Sequence, residues 1–174
     1  IMPETTLGVV GESGCGKSTL GRTLLRLLEP TGGDILYQGQ SILKAKGREM
    51  KELRKSLQII FQDPYSSLDP RQTVFNLIAE PLKTNRMGTK AEMREKVEDI
   101  MNTVGLAPRL ANAYPHELDG GRRQRIGIAR ALSLDPEFIV CDEPVSALDV
   151  SIQAQILNRL KTLQQKHGYT YMFI

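Results

Sequence analysis

Only two cysteines and two histidines occur among the 174 residues. Cys15 and Cys141 stand far apart, and neither falls in a metal-ligand spacing. That argues against a zinc module and a disulfide framework, and it fits a reducing compartment. His116 and His167 are isolated and receive no role. No apolar run approaches the ~20 residues that a membrane span needs. The chain opens Ile-Met-Pro-Glu-Thr-Thr, without the basic and apolar regions of a secretory signal. Neither sign of charge dominates: a net charge of +3 is too small to argue for nucleic acid. Arg122, Arg123, Arg125 and Arg130 cluster, but at helical spacing among apolar residues, so a solvated helix face accounts for them as well as a phosphate patch does. Internal repeats and low-complexity segments are also missing. What remains is ordinary. Hydrophobic residues make up 40% and charged residues 25%, which suits one soluble domain with a sizeable core.

Against this plain background one motif stands out. Residues 11–18 read Gly-Glu-Ser-Gly-Cys-Gly-Lys-Ser, matching the phosphate-loop pattern G-x-x-x-x-G-K-[ST] at every fixed position. An apolar run, Leu7 to Val10, leads in as a strand. Leu20, Leu24, Leu27 and Leu28 follow at helical spacing, which predicts a helix to about Leu28. A Gly-rich turn between strand and helix aims successive backbone N–H groups at one anion, and the helix N-terminus adds its dipole. Gly11, Gly14 and Gly16 keep side chains away from the phosphate. Lys17 is expected to reach the β- and γ-phosphates, and the Ser18 hydroxyl to ligate Mg²⁺.

Further along, Asp34 to Gln38 reads as a short strand ended by Gly39, Arg48 to Lys55 as a charged helix, and Leu57 to Phe61 as an apolar strand. From Tyr65 to about Ala131 the pattern is mostly helical. Thr89 and Glu92 form a capping box; Met93, Val97, Ile100, Met101 and Val104 share one face, and Gly105 ends the helix. The core then resumes. Phe138 to Cys141 is continuously apolar, as in a strand buried on both faces of a parallel sheet. A helix from about Ser151 to Lys166 and a strand from Tyr169 to Ile174 follow. The expected architecture is α/β: a phosphate-loop NTPase (RecA-like) core with a parallel sheet, a small β part near the N-terminus and an inserted α-helical subdomain. Residues 1–64 and 131–174 form the core, and 65–130 the helical subdomain.

The strand Phe138–Cys141 ends in Asp142 and Glu143. Ligands of parallel α/β sheets bind at the carboxyl ends of the strands, so these carboxylates and the phosphate loop are expected at one edge. Asp142 is positioned to hold Mg²⁺. Glu143 is positioned to orient and polarise an attacking water.

With these residues in place the chain resembles the ATPase subunit of an ATP-binding cassette (ABC) transporter. Five segments match in order. They are the phosphate loop; Gln62 after an apolar strand, as in the Q-loop; Leu118-Asp-Gly-Gly-Arg122 at the place of the LSGGQ signature; Phe138 to Glu143 as the Walker B strand with its catalytic glutamate; and Ser146-Ala-Leu-Asp149 as the D-loop. Phe61 to Arg71, Tyr114 to Leu118 and Cys141 to Gln153 resemble bacterial oligopeptide and dipeptide importer ATPases, with nickel importers sharing much of the wording. The resemblance implies ATP and Mg²⁺ as cofactors. It implies catalysis by Glu143 with Lys17 and Gln62, and metal ligation by Ser18, Gln62 and Asp142. It implies nucleotide contacts from Gly11, Glu12, Ser13, Gly14, Cys15, Gly16, Lys17, Ser18 and Thr19, and from Asp119, Gly120, Gly121 and Asp149 across a dimer. The implied partners are a second ATPase subunit, transmembrane permease subunits met by the helical subdomain and, indirectly, a solute-binding protein, with no nucleic acid. The implied location is cytoplasmic, on the inner face of a bacterial membrane.

Two departures accompany the resemblance. Asp119 stands where the family has serine, and Arg122 where it has glutamine. A carboxylate there faces the nucleotide's phosphates and repels them unless Arg122 or Arg123 offsets it. The family's switch histidine, adenine-stacking strand and C-terminal extension are not in the sequence, as expected of a piece of a longer protein. The alternatives are an ABC ATPase unconnected with transport and a nucleotide-binding module with little turnover. The interval between Gln62 and Leu118 is too short for the coiled coils of DNA-repair cassettes, and 174 residues do not hold two cassettes.

Overall fold

The computed structural model of the chain describes residues 1–63 and 65–174. In chain order the elements are β1 (Thr6–Gly8), α1 (Lys17–Leu24), β2 (Leu36–Tyr37), β3 (Gln40–Ser41), α2 (Gly47–Ser56) and β4 (Leu57–Ile60). Then come α3 (Val74–Thr84), α4 (Lys90–Val104), two short 3₁₀ turns, α5 (Gly120–Leu132), β5 (Phe138–Cys141), α6 (Val150–His167) and β6 (Thr170–Phe173). Strands β1, β6, β5 and β4 lie side by side in that order, every pair parallel. A separate antiparallel hairpin, β2 with β3, turns through Gln38 and Gly39.

The apolar run Phe138–Cys141 does become a central strand. Ile139, Val140 and Cys141 are fully buried. Their alternation splits the interior in two. Val140 and Met172 pack with Leu25 on the α1 side, while Ile139, Cys141 and Tyr171 join the helices on the other side. Each such fully buried aliphatic side chain contributes about 1.5–3 kcal/mol.

The first strand and helix are shorter than their sequence patterns predict. β1 sits at the sheet edge and its three residues are exposed. Regular pairing stops at Gly8, although Val9 still donates to the Phe173 carbonyl at 2.7 Å. α1 ends at Leu24, and Arg26 takes a φ of 51°. Leu20, Leu27 and Leu28 are exposed. The face that meets the sheet runs through Gly21 and Leu25, one turn apart. A Cβ on Gly21 would lie 2.8 Å from Val140 Cγ1 and 3.0 Å from Ile174 Cδ1. The glycine therefore brings the helix backbone close to β5, and the leucine spacing does not mark the buried face.

The helical stretch follows its caps. Thr89 N donates to Glu92 Oε2 at 2.6 Å, and Glu92 N donates to Thr89 Oγ1 at 3.3 Å. Val97, Ile100, Met101 and Val104 are buried, and Gly105 ends α4 at a φ of 74°. Arg125 on α5 donates to the Gly105 carbonyl and to Gln155 of α6, 2.9 Å each. Among the described residues no helix is long and apolar enough to cross a membrane.

Candidate functional site

Between β1 and α1 the chain makes the turn that the motif predicts. Gly14 and Gly16 have φ values of 80° and 96°, in the region that favours glycine. Gly16 precedes the first turn of α1, and no side chain caps that end. Its backbone N–H groups are thus left to an external acceptor, the arrangement that binds phosphate. Glu12, Ser13, Cys15 and Thr19 are exposed around the turn. A Cβ on Gly11 would lie 2.8 Å from Cys15 Sγ, so a side chain there would have to displace the exposed thiol. Lys17 Nζ donates to the carbonyls of Gly11 at 2.9 Å and Glu12 at 2.8 Å. The ammonium is held over the loop by these two carbonyls.

The end of β5 delivers Asp142 beneath α1. Its side chain is 1% exposed. Ser18 Oγ donates to Oδ1 at 2.6 Å, and Arg22 Nη2 reaches Oδ2 at 3.2 Å. Ser18 and Asp142 thus form a pair of hard oxygen donors, one anionic, beside the phosphate loop. This suits Mg²⁺, which takes one or two protein oxygens and completes its shell with phosphates and water. Among the described residues no cluster of three or more His, Cys, Asp or Glu forms an all-protein cage.

Next along the chain, Glu143 is half-buried and takes a φ of 46°. That conformation costs a side-chain-bearing residue on the order of 1–3 kcal/mol and is often found at functional sites. Gln62 Nε2 donates to Glu143 Oε2 at 2.7 Å, which leaves Oε1 as the acceptor end of the amide. Beside it, the Asp63 carboxyl is held below its ordinary pKa, chiefly by the Tyr65 N–H that it accepts. α5 secures this segment at three points. Gln124 Nε2 donates to the Phe61 carbonyl at 3.5 Å, Arg130 to the Ser67 carbonyl at 3.0 Å, and the Arg123 guanidinium lies 4.8 Å over the Tyr65 ring.

The structure therefore gathers Lys17, Ser18, Gln62, Asp142 and Glu143 at the carboxyl edge of the sheet. Asp119, Gly120, Gly121 and Asp149 form a second group. Among the described residues no hydrogen bond or ion pair joins them to the phosphate loop. Asp119 caps α5: Oδ1 accepts from Arg122 N at 2.8 Å, and Arg122 Nε lies 3.4 Å from Oδ2. The charge that the sequence leaves to Arg122 or Arg123 is met by Arg122, while Arg123 turns to Tyr65. A Cβ on Gly120 would lie 3.3 Å from Leu148 Cδ2, and one on Gly121 2.8 Å from Ile152 Cγ2. The two glycines thus seat the start of α5 against Leu148 and the first turn of α6, next to the exposed Asp149. Sequence reasoning missed Arg22 and Gln124, and took Arg130 only as one of a cluster on a helix face. Only Arg22 carried a signal: it stands four residues after Ser18, on the same helix face.

Residues 1–146 match the protein family described as ABC transporter. The chain is 56% identical, over 170 residues, to the oligopeptide transport ATP-binding protein AppF of Bacillus subtilis, covering 97% of this chain and 52% of that protein. The same identity holds over 170 residues with OppF of Haemophilus influenzae, covering 97% of this chain and 51% of that protein. This chain thus spans about half the length of these relatives. Among solved structures, cbiO1 of Clostridium perfringens, part of the transporter complex cbiONQ, superposes with a TM-score of 0.88 at 28% identity. That match covers 99% of this chain and 67% of the other. The ATP-binding cassette MJ0796, in a dimeric post-hydrolysis state with ADP and phosphate, gives 0.82 at 30% identity, covering 97% and 72%.

Proposed function

Because the chain belongs to the ABC transporter family, we propose that it is the ATP-binding and ATP-hydrolysing part of an importer that takes up oligopeptides. One observation carries the ATPase reading: the open phosphate loop, the Ser18–Asp142 pair and the Gln62–Glu143 pair converge at one sheet edge. The peptide reading rests on the 56% identity to proteins named for oligopeptide transport.

In this reading the loop N–H groups bind the phosphates, and Lys17 leaves the Gly11 and Glu12 carbonyls to meet them. Ser18, Asp142 and the Gln62 carbonyl oxygen would hold Mg²⁺, which would supply positive charge to offset that developing on the phosphate oxygens. Glu143 accepts the proton of the attacking water. Gln62 keeps the Glu143 carboxylate turned toward that water. Asp119, Gly120, Gly121 and Asp149 lie on the face that completes the site of a second ATPase subunit, as the dimeric MJ0796 supports. The helical stretch 65–130 is the part that meets a permease. A groove of about 420 Å³ between α3 and α5, lined by Phe61, Glu80, Pro81 and Arg130, suits that contact. The working place is the cytoplasmic face of the membrane.

The test is reconstitution of the full-length protein with its permease in vesicles. Mg²⁺-dependent phosphate release that rises when an oligopeptide and its binding protein are supplied supports the whole reading. Release without a response to peptide leaves the ATPase and overturns the cargo.

A further inference from the structure

A carboxylate at 1% exposure is costly unless something offsets its charge. Asp142 is such a group. Its backbone N–H pairs with the Ile60 carbonyl at 3.0 Å, which fixes its place at the end of β5. Its two side-chain oxygens are shared out: Oδ1 takes the neutral Ser18 hydroxyl, and Oδ2 takes Arg22. Among the described residues Arg22 is the one cation paired with this carboxylate. Lys17, on the same helix, is engaged with loop carbonyls. Arg22 reaches in from a half-exposed position, at 45% side-chain exposure. It is not needed to dock α1, which already meets β5 through Gly21 and Leu25.

We propose that Arg22 is a built-in counter-ion of the metal carboxylate. It is a positioning residue that pairs with Oδ2 and keeps Asp142 turned, with Oδ1 on Ser18, whenever the metal is away, and that moderates how tightly the metal is held. This rests on the reading of Ser18 and Asp142 as the Mg²⁺ pair. The physical logic has two sides. Without metal, the guanidinium supplies the positive charge that a buried anion requires. With metal, the same guanidinium puts a like charge beside the cation through the shared carboxylate and weakens binding. A site that must release its metal with spent nucleotide gains from both.

The experiment uses the full-length protein and Mn²⁺ as the probe. Bound Mn²⁺ is counted by electron paramagnetic resonance in the presence of ADP, and thermal unfolding is followed with and without the metal. Arg22→Gln should lower the metal-free unfolding temperature by several degrees. It should also tighten Mn²⁺ binding by roughly ten-fold, because one nearby like charge is gone. Added metal should recover most of the lost stability. Arg22→Lys keeps the charge and should stay close to wild type in Mn²⁺ affinity, an outcome readable even if Arg22→Gln does not fold. Equal destabilisation with and without metal, at unchanged Mn²⁺ affinity, would reduce the pair to a structural tie and overturn the proposal. Weaker Mn²⁺ binding in Arg22→Gln, or a ten-fold change in Arg22→Lys, would overturn it as well. Asp142→Asn and Ser18→Ala separate the two levels: if neither weakens Mn²⁺, the metal-site reading itself has failed, whatever Arg22 does.

Discussion

Gln62 donates to Glu143 across 2.7 Å, and the register of two strands puts them there. β4 and β5 run parallel with Ile60 opposite Cys141. Gln62 is two residues past the first and Glu143 two past the second, so the two chains leave the sheet side by side with their polar groups abreast. The positive φ of Glu143 turns its backbone at that point.

Glu143→Gln keeps the size of the side chain and removes the carboxylate proposed as the base. Phosphate release by the full-length protein should fall by about 10²–10⁴-fold, the usual worth of a positioned general base. Bound ATP should remain at near wild-type affinity. Gln62→Ala should lower release less, by roughly ten-fold, since the carboxylate survives but loses its orienting donor. Single-turnover assays beside ATP titrations separate the effects, and a Glu143→Gln protein that turns over normally would rule out the base assignment.

Lys17→Ala removes two contacts at once. Without nucleotide it frees the Gly11 and Glu12 carbonyls, and with nucleotide it should lose the proposed charge-assisted contact to phosphate. Hydrogen bonds to charged groups contribute about 1.5–3 kcal/mol each, so ATP affinity should fall by roughly 10–10²-fold. Calorimetric titration reads this directly, and equal affinities would show that Lys17 stays with the loop carbonyls.

Much of the site was legible because its chemistry is local in sequence. The phosphate loop, the Asp142–Glu143 pair and the Thr89–Glu92 cap each lie within a few residues of chain, and each takes its expected place. What escaped depends on packing between distant segments. The leucines after Lys17 promise an apolar face, yet α1 meets the sheet through Gly21, because closeness to Val140 outweighs leucine burial. Gln124 and Arg130 secure residues 61–67 from α5, contacts that no spacing rule links. Arg22 could be aligned with Ser18 by helical spacing, but its partner Asp142 lies more than a hundred residues away.

Asp119 illustrates how the structure sharpens a sequence expectation. Its carboxylate caps α5 and is offset by Arg122, so the repulsion expected from the sequence is partly cancelled. Asp119→Ser keeps a good cap and should leave stability within about 0.5 kcal/mol. Asp119→Ala loses the cap and should cost about 1 kcal/mol. ATP-dependent dimerisation of Asp119→Ser should change little, and less still at high salt, where screening weakens what remains of the charge effect. Chemical denaturation and sizing with ATP check both, and a large, salt-independent change in dimerisation would mean that shape at residue 119 decides.

The two cysteines give a test of the fold and of the loop together. Cys15 is exposed on the phosphate loop, whereas Cys141 is buried in β5, where desolvation pushes its thiol far above the ordinary range. Only the thiolate attacks an alkylating reagent, so Cys141 should be inert in the native protein at pH 8. Among these two, one thiol should therefore react in native conditions and both in denaturant, as intact-mass measurement will show. ATP seated on the loop N–H groups crowds Cys15, so nucleotide should slow the native reaction, with a concentration dependence that follows ATP affinity. Lys17→Ala should shift that protection to higher ATP by its own loss of affinity, roughly 10–10²-fold. Native reaction at Cys141 would mean that β5 opens. Reaction at Cys15 that ATP never slows would place the phosphates somewhere other than the loop.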